Sequence, residues 1–124
     1  MVDTLGLPHA IHITCANTTD RQGAIDMVSN NSGQLSSVVN FLVDGGYSGE
    51  NFANTIKNIH GASVEVVKRC ELHTFKVLPK RWIVERTFAW LEKCRRLWKN
   101  CERKLNTSLN MTILAFIALL LRRY

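Results

Sequence analysis

The apolar positions in the first part of the chain follow strand-like and helix-like spacings in turn. His9 to Thr14 alternates polar and apolar residues, which predicts a half-buried strand. Thr18 or Thr19 is placed to cap a short helix, and the polar stretch Asn30 to Gly33 would end it. The nearly continuous apolar run Val38 to Val43 is typical of a strand that is covered on both faces. This part of the chain therefore predicts two strands joined by a helix.

A second helix and a further strand follow in the pattern. Glu50 to His60 carries apolar residues at helical spacing, with Ser48 as a candidate N-cap and Gly61 as a stop. Val64 to Val67 then has the pattern of a strand. Because strand, helix and strand in this order form a parallel, right-handed crossover, the chain is predicted to be an α/β protein.

Two long helices are predicted for the C-terminal part of the chain. Pro79 fits the first turn of a helix that runs to about Lys104, and Asn106 to Ser108 would break it. A final apolar helix, Leu109 to Leu121, would follow. If the first of these helices is continuous, the rotation of about 100° per residue places six charged residues on one face. These residues are Arg81, Glu85, Glu92, Arg96, Lys99 and Arg103.

The length and composition exclude several classes of protein. At 124 residues the chain has the size of one domain, and 46% hydrophobic residues are too many for a disordered chain. Its longest apolar run, Met111 to Leu121, covers 11 residues, whereas a membrane-spanning helix needs about 20. The N-terminus lacks the basic and apolar pattern of a secretory signal. We therefore expect residues 1–124 to form a single domain of a cytoplasmic protein that does not span a membrane.

Positive charge is concentrated in the second half of the chain. Residues 1–67 carry 2 basic and 6 acidic side chains, whereas the residues from Lys68 onward carry 14 basic and 4 acidic ones. Such an excess suits a polyanion, because each phosphate that is neutralised releases counterions. Nucleic acid is therefore the expected partner. The alternative is a basic helix face that is solvated and binds nothing.

Two carboxylates are placed where a metal site would form. Asp44 follows the apolar strand, at the edge of an α/β sheet where ligands collect, and Glu85 lies on the predicted long helix. Together they would suit a hard divalent cation, and sites of that kind catalyse phosphoryl transfer. Each residue has an ordinary alternative, which is a hydrogen bond within a turn for Asp44 and a surface ion pair with Arg81 for Glu85.

Five stretches of the sequence form a distinctive set. They are VDTLGLPHAIHIT and ANTTDRQGA near the start, then LVDGGYSGE, VEVVKR and VLPKRWIVERTFAWLEKCRRL. In this order they resemble bacterial insertion-sequence transposases of the DDE type, and they cover essentially the whole chain. The resemblance implies a partial ribonuclease H-like domain, with a mixed sheet flanked by helices and long C-terminal helices. It also implies DNA as the substrate and two Mg²⁺ ions that support DNA cleavage and strand transfer.

The resemblance also implies roles for individual residues. Asp44 and Glu85 are then the second and third catalytic carboxylates and the metal ligands. Arg81 matches the family's helical arginine and is expected to contact DNA. The family has a basic residue further along, but Glu92 stands near that position and Lys93 follows it, which makes Lys93 the candidate. The other predicted DNA-binding residues are Arg96 and Lys99.

One departure from the family concerns the first catalytic aspartate. In the family it lies on a strand upstream of the VDTLGLP segment, and neither Asp3 nor Asp20 matches its position. We therefore expect this chain alone to cleave no DNA, with an upstream transposase fragment or a second copy of the chain as its partner. The alternative function is a catalytically inactive transposase remnant that binds DNA.

Three tryptophans, Trp82, Trp90 and Trp98, are interleaved with the basic residues of the predicted long helix. A helix of this kind must bury one face, which favours a core or interface role for the tryptophans over base stacking. A steep fall of DNA affinity with salt would be the mark of phosphate contacts by the basic residues.

Overall fold

The computed structural model describes residues 1–67 and 80–122, and the chain divides into two compact units. The terminal unit consists of Met1–Cys15 and Lys80–Tyr124, and the central unit consists of Ala16–Pro79. The elements among the described residues are four α-helices and a two-stranded parallel sheet, which belong to the α/β class. That residues 1–124 form a single domain stays a prediction.

The central unit contains the predicted strand–helix–strand crossover. β1 and β2 pair in parallel, from Asn40 with Ser63 to Val43 with Val66. The parallel arrangement is therefore confirmed, although the strands are offset by one or two residues from the ranges that the sequence predicts. In chain order the elements are α1 (Asp20–Asn30), β1 (Asn40–Val43), a 3-10 helix (Gly45–Tyr47), α2 (Glu50–His60) and β2 (Ser63–Val66).

Local caps explain where the helices of the central unit begin and end. The Thr19 hydroxyl accepts a hydrogen bond of 3.3 Å from a backbone N–H in the first turn of α1. Gly61 ends α2 in the left-handed conformation, with φ of 85°. The N-cap of α2 is Gly49, so the prediction of Ser48 is wrong. The N–H of Ser48 donates to Gly45 O instead, which closes the preceding 3-10 helix.

The core of the central unit includes one side of β1. Leu35 and Ile56 are fully buried, and Phe41 is buried with its ring centroid 5.6 Å from that of His60. His60 Nε2 also hydrogen-bonds to Leu35 O at 2.9 Å. Leu42 is exposed, so within the described residues β1 is covered on one face instead of the two predicted. An apolar run shows which residues can be buried, but burial also needs a packing partner on each face.

The terminal unit contains two helices and a looped N-terminal segment. Its helical elements are α3 (Arg81–Glu92), a 3-10 helix (Arg95–Leu97) and α4 (Leu105–Leu121). Val2 and Pro8 form an isolated antiparallel bridge, and the Met1 amino group donates to Ala10 O at 2.8 Å. Among the helices in the described parts of the chain, none is long and apolar enough to cross a membrane.

The strand predicted for His9 to Thr14 is wrong. The structure assigns no strand to residues 9–14. Alternating polar and apolar residues need a neighbouring strand to complete their backbone hydrogen bonds, and within residues 1–67 and 80–122 no strand pairs with this segment.

The single helix predicted from Pro79 to Lys104 is also wrong. Pro79 lies outside the described residues, and α3 ends at Glu92, after which Cys94 has extended backbone angles of −85° and 98°. Like charges three or four residues apart destabilise a helix, and the sequence after Glu92 places several basic residues at that spacing. The six charged residues therefore do not share one helical face.

Asn106 to Ser108 do not break a helix, because α4 begins at Leu105 and includes them. Ser108 is buried, and its hydroxyl donates to Asn100 Oδ1 at 3.2 Å. The Ser108 hydroxyl thus donates to a residue outside α4. Serine disfavours a helix interior when its side chain competes for the backbone hydrogen bonds of the helix, and this contact removes that competition.

We predict that Gly61→Ala lowers the free energy of unfolding by about 1 to 2 kcal/mol. The reason is that a side chain at φ of 85° is strained even where space is open, as it is beside Gly61. Urea unfolding followed by circular dichroism measures this loss. Gly33→Ala is the matched control, because Gly33 also has open space around it and no left-handed backbone. Equal losses in the two variants would contradict the explanation.

Candidate functional site

Asp44 lies directly after β1, at the carboxyl end of a parallel strand. Its Oδ1 accepts a hydrogen bond of 2.9 Å from Gly46 N–H and so caps the 3-10 helix that follows. The side chain is exposed, and its Oδ2 has no hydrogen-bond donor within residues 1–67 and 80–122. The turn hydrogen bond is therefore present, and it occupies only one of the two carboxylate oxygens.

The first turn of α1 lies beside the loop that carries Asp44. Arg21 Nε donates to Gly46 O at 2.9 Å, which ties α1 to this loop. Burial raises the pKa of Tyr47, and the negative charges of Asp20 and Asp44 raise it further. Asp20 is thus close enough to act on the same phenol as Asp44, a proximity that chain position alone does not indicate.

Glu85 lies on α3 in the terminal unit, where its side chain is exposed. It follows Arg81, the first residue of the helix, by four positions, but the side chain of Arg81 is outside what the structure describes. Since Asp44 belongs to the central unit, the convergence of the two carboxylates on one cation stays a prediction. Over residues 1–67 and 80–122, no group of three or more His, Cys, Asp or Glu side chains is arranged to hold a metal ion.

The helix that carries Glu85 is fastened to the N-terminal segment by the next two residues. The guanidinium of Arg86 lies over the rings of Trp82 and Trp90, at 4.4 Å and 4.9 Å from their centroids. Arg86 Nη2 donates to Leu5 O at 2.7 Å. The buried hydroxyl of Thr87 lies 2.9 Å from the carbonyl oxygens of both Gly6 and Ile83, and it donates its proton to one of them at a time.

Asp3 shapes the loop that presents these carbonyl groups. Its Oδ1 accepts hydrogen bonds from Leu5 N–H at 2.8 Å and Leu7 N–H at 2.9 Å. Gly6 has φ of 82°, and a Cβ at this position would lie 2.8 Å from Thr87 Oγ1. Both the backbone conformation and the close approach to α3 therefore require glycine. No contact with α3 was predicted for Asp3 or Gly6, although Asp at the first and Gly at the fourth position of a four-residue segment is a turn signal.

The pKa of Asp3 reflects this arrangement. Partial burial raises it, but the backbone hydrogen bonds from Leu7 and Leu5 and the contact with His9 outweigh that effect and hold the pKa below its ordinary value of 3.8. His9 Nε2 lies 3.4 Å from Asp3 Oδ2.

The remaining predicted DNA-binding residues lie between α3 and α4. We call residues 93–104 the basic segment, because they contain six basic side chains and one acidic side chain, Glu102. Lys93 caps the C-terminus of α3, and Lys99 is exposed. Arg96 forms an ion pair with Glu102, so its charge is partly neutralised within the segment. The other basic side chains of the segment are exposed and belong to Arg95, Arg103 and Lys104.

The three tryptophans of this region have different environments. Trp82 is 50% exposed and Trp90 is half-buried, and both rings are covered by Arg86. Trp98 is 89% exposed, so a core position, one half of the predicted core or interface role, is wrong for this residue, and the interface role stays a prediction. The prediction assumed that Trp98 lies on the same helix as the others, whereas it caps the 3-10 helix beyond the end of α3.

Comparison with known proteins gives one family. The family model described as the transposase DDE domain matches residues 1–121. Searches of curated proteins and of solved structures found no match. The matched range contains both units, with Asp44, Glu85 and the whole basic segment.

We predict that Asp3→Ala lowers the free energy of unfolding by about 1 to 2 kcal/mol near neutral pH, because two backbone N–H groups lose their acceptor. The depressed pKa means that the carboxylate contributes stability above about pH 3.8 and loses it as the pH falls through the folded-state value. The difference between wild type and variant is thus expected to shrink at about pH 3. Urea titrations at the two pH values measure it.

Asp26→Ala is the control for this prediction. Asp26 lies on α1 and accepts a hydrogen bond from the side chain of Gln22 on the same helix, so it closes no loop. We expect a loss below about 0.5 kcal/mol for this exposed pair. A loss for Asp3→Ala that is equally small, or that grows as the pH falls, would contradict the role given to Asp3.

Proposed function

Because the chain belongs to the transposase DDE domain family, we propose that it is the part of an insertion-sequence transposase catalytic domain that carries the second and third catalytic carboxylates. The proposed reaction is metal-dependent cleavage of DNA at the ends of the element, followed by transfer of the freed strand to target DNA. The observation that carries the proposal is the family match over residues 1–121, which includes Asp44 and Glu85.

The position of Asp44 supports the catalytic assignment. In open α/β sheets, ligands bind beyond the carboxyl ends of parallel strands, and Asp44 follows β1 at such an end. The α1–β1–α2–β2 order of the central unit is compatible with part of a ribonuclease H-like domain. In the proposed enzyme, the first carboxylate of the catalytic set would belong to a strand that precedes the Asp3 segment.

Members of this family typically use divalent metal ions. The residues present suit Mg²⁺, because Asp44 keeps one carboxylate oxygen without a hydrogen-bond donor in the described residues and Glu85 is an exposed carboxylate. Asp44 and Glu85 would hold the metal, which when bound activates the nucleophile and stabilises the leaving oxygen of phosphoryl transfer.

The protein groups beside the carboxylates have positioning roles in this proposal. The Gly46 N–H fixes the orientation of the Asp44 carboxylate by its hydrogen bond to Oδ1, and Oδ2 has no hydrogen-bond donor among the described residues. Arg86 and Thr87 fix the helix that carries Glu85 to the N-terminal loop. Such constraints matter because a displacement of about 1 Å lowers the rate of a reaction about a hundredfold.

We predict that the 124-residue chain alone does not nick DNA that carries the element ends in the presence of Mg²⁺, because two carboxylates form an incomplete site. Addition of an upstream segment from the family that carries the first catalytic aspartate, fused or in trans, is expected to produce nicking. Gel analysis of end-labelled DNA measures both results.

In the complemented protein, Asp44→Asn and Glu85→Gln are each expected to lower the nicking rate at least about a hundredfold. Glu92→Gln is the matched control, since Glu92 is an exposed carboxylate on the same helix as Glu85. If the chain alone nicks DNA and Glu85→Ala abolishes that nicking, the prediction of an incomplete site is wrong. Nicking that survives Glu85→Gln in the complemented protein would contradict the assignment of Glu85.

A second candidate function is a transposase remnant that binds DNA without cleaving it. The exposed cations of the basic segment favour this candidate, because phosphate contacts need no metal and no carboxylate. Complementation separates the two functions, since a remnant of this kind binds DNA but stays inactive when the upstream segment is supplied.

A further inference from the structure

We propose that Trp98 is a stacking platform for an unpaired base of single-stranded DNA, with the cations of the basic segment binding the phosphates on either side. The inference deepens the proposed function, on which it rests for the choice of DNA as the ligand. The inference does not involve Asp44 or Glu85, so the inference and the catalytic proposal can fail independently of each other.

The Trp98 ring is exposed. Its side chain is 89% exposed, whereas tryptophan is usually well buried in folded proteins. Trp82 and Trp90 have an arginine over their rings, but Trp98 has no such partner among the described residues. Its indole therefore offers an aromatic surface to a ligand.

The backbone that carries the Trp98 ring is ordered by local hydrogen bonds. Trp98 N–H donates to Arg95 O at 3.4 Å, at the end of the 3-10 helix. Two residues further on, Asn100 Oδ1 accepts hydrogen bonds from Glu102 N–H at 3.1 Å and from the Ser108 hydroxyl at 3.2 Å. The segment is thus tied to α4, and the backbone at Trp98 belongs to an ordered turn. An ordered backbone lowers the conformational freedom that the segment loses when the ring binds a ligand.

The residues next to Trp98 in the chain carry positive charge. Arg95 and Lys99 flank Trp98 within three residues, and both are exposed. Glu102, the one acidic residue of the basic segment, is paired with Arg96 and so does not oppose an anionic ligand directly. Aromatic rings set among basic residues are the arrangement by which proteins bind single strands, since bases stack on the rings while the cations follow the backbone.

The same features favour a single strand over a duplex or a membrane. In duplex DNA each base is already stacked on its neighbours, so a free aromatic face is available only at an unpaired base. Binding to a membrane surface needs a continuous apolar face, whereas Trp98 is followed by the polar residues Lys99 and Asn100 and preceded by a half-buried Leu97.

The test is fluorescence anisotropy of the full chain with a labelled oligothymidylate long enough to cover the ~4–16 nucleotides of a single-strand site. Trp98→Ala is expected to weaken binding about 5- to 100-fold, the range for loss of one stacked base. Trp98→Phe keeps an aromatic ring and is expected to retain most of the affinity. Phe88→Ala is the matched control, because it removes a 61% exposed aromatic side chain from α3.

The salt dependence separates stacking from charge. Trp98→Ala is expected to leave the slope of log affinity against log salt unchanged, whereas Lys99→Gln lowers it by about one unit. Lys57→Gln, an exposed cation of the central unit, is expected to leave both the affinity and the slope unchanged. Circular dichroism of each variant verifies that it is folded.

Three results would overturn the inference. These are unchanged affinity in Trp98→Ala, equal losses in Trp98→Phe and Trp98→Ala, and tighter binding of blunt duplex DNA or anionic vesicles than of the single strand. The binding assay is carried out without Mg²⁺ and involves no cleavage step, and Asp26→Asn, a carboxylate outside the proposed catalytic set, is expected to bind the oligonucleotide as wild type does. The carboxylate assignment can therefore fail in the nicking assay without changing the result of the binding assay. Likewise, the role of Trp98 can fail in the binding assay without changing the result of the nicking assay.

Discussion

The terminal unit depends on the contact that Arg86 and Thr87 make with the N-terminal loop. Arg86 donates to Leu5 O and Thr87 approaches Gly6 O, which joins residues 81 positions apart in the chain. The guanidinium of Arg86 stacks on two indole rings while its Nε is buried with no hydrogen-bond partner in the described residues. The stacking offsets part of the desolvation that this N–H suffers. Glu85 immediately precedes this pair, so the same contact constrains its position on α3.

Local sequence signals predicted the central unit well and the terminal unit poorly. The crossover from Asn40 to Val66 follows from short apolar runs, helical spacing and a glycine stop, all of which act within a few residues. The conformation of the loop around Asp3 depends on contacts with α3, which is far away in sequence. The alternation of residues 9–14 does not reveal such contacts, and it wrongly predicted a strand. Similarly, the end of α3 at Glu92 reflects repulsion among neighbouring cations, which hydrophobic periodicity does not measure.

Part of the candidate site was predictable because it depends on contacts between residues that are close in sequence. Asp44 at the end of a strand, with a hydrogen bond to Gly46, is a local arrangement that the sequence indicated. The exposure of Trp98 was not predictable, because it follows from the break after α3 that moves the ring off the helix. The ion pair between Arg96 and Glu102 likewise requires the chain to turn between them, which a continuous helix would not allow in the same form.

The terminal unit is built from two stretches that are distant in the chain, and this determines when it can fold during synthesis. Residues 1–15 leave the ribosome before α3, because their partners on α3 are made about 80 residues later. At a translation rate of about 5–20 residues per second, the loop waits on the order of 4 to 16 s for α3. The central unit, whose strands lie within 27 residues of each other, has all its own partners earlier. The nascent segment 1–15 is therefore open to chaperones or proteases for that interval, until Arg86 emerges and its contacts close the unit.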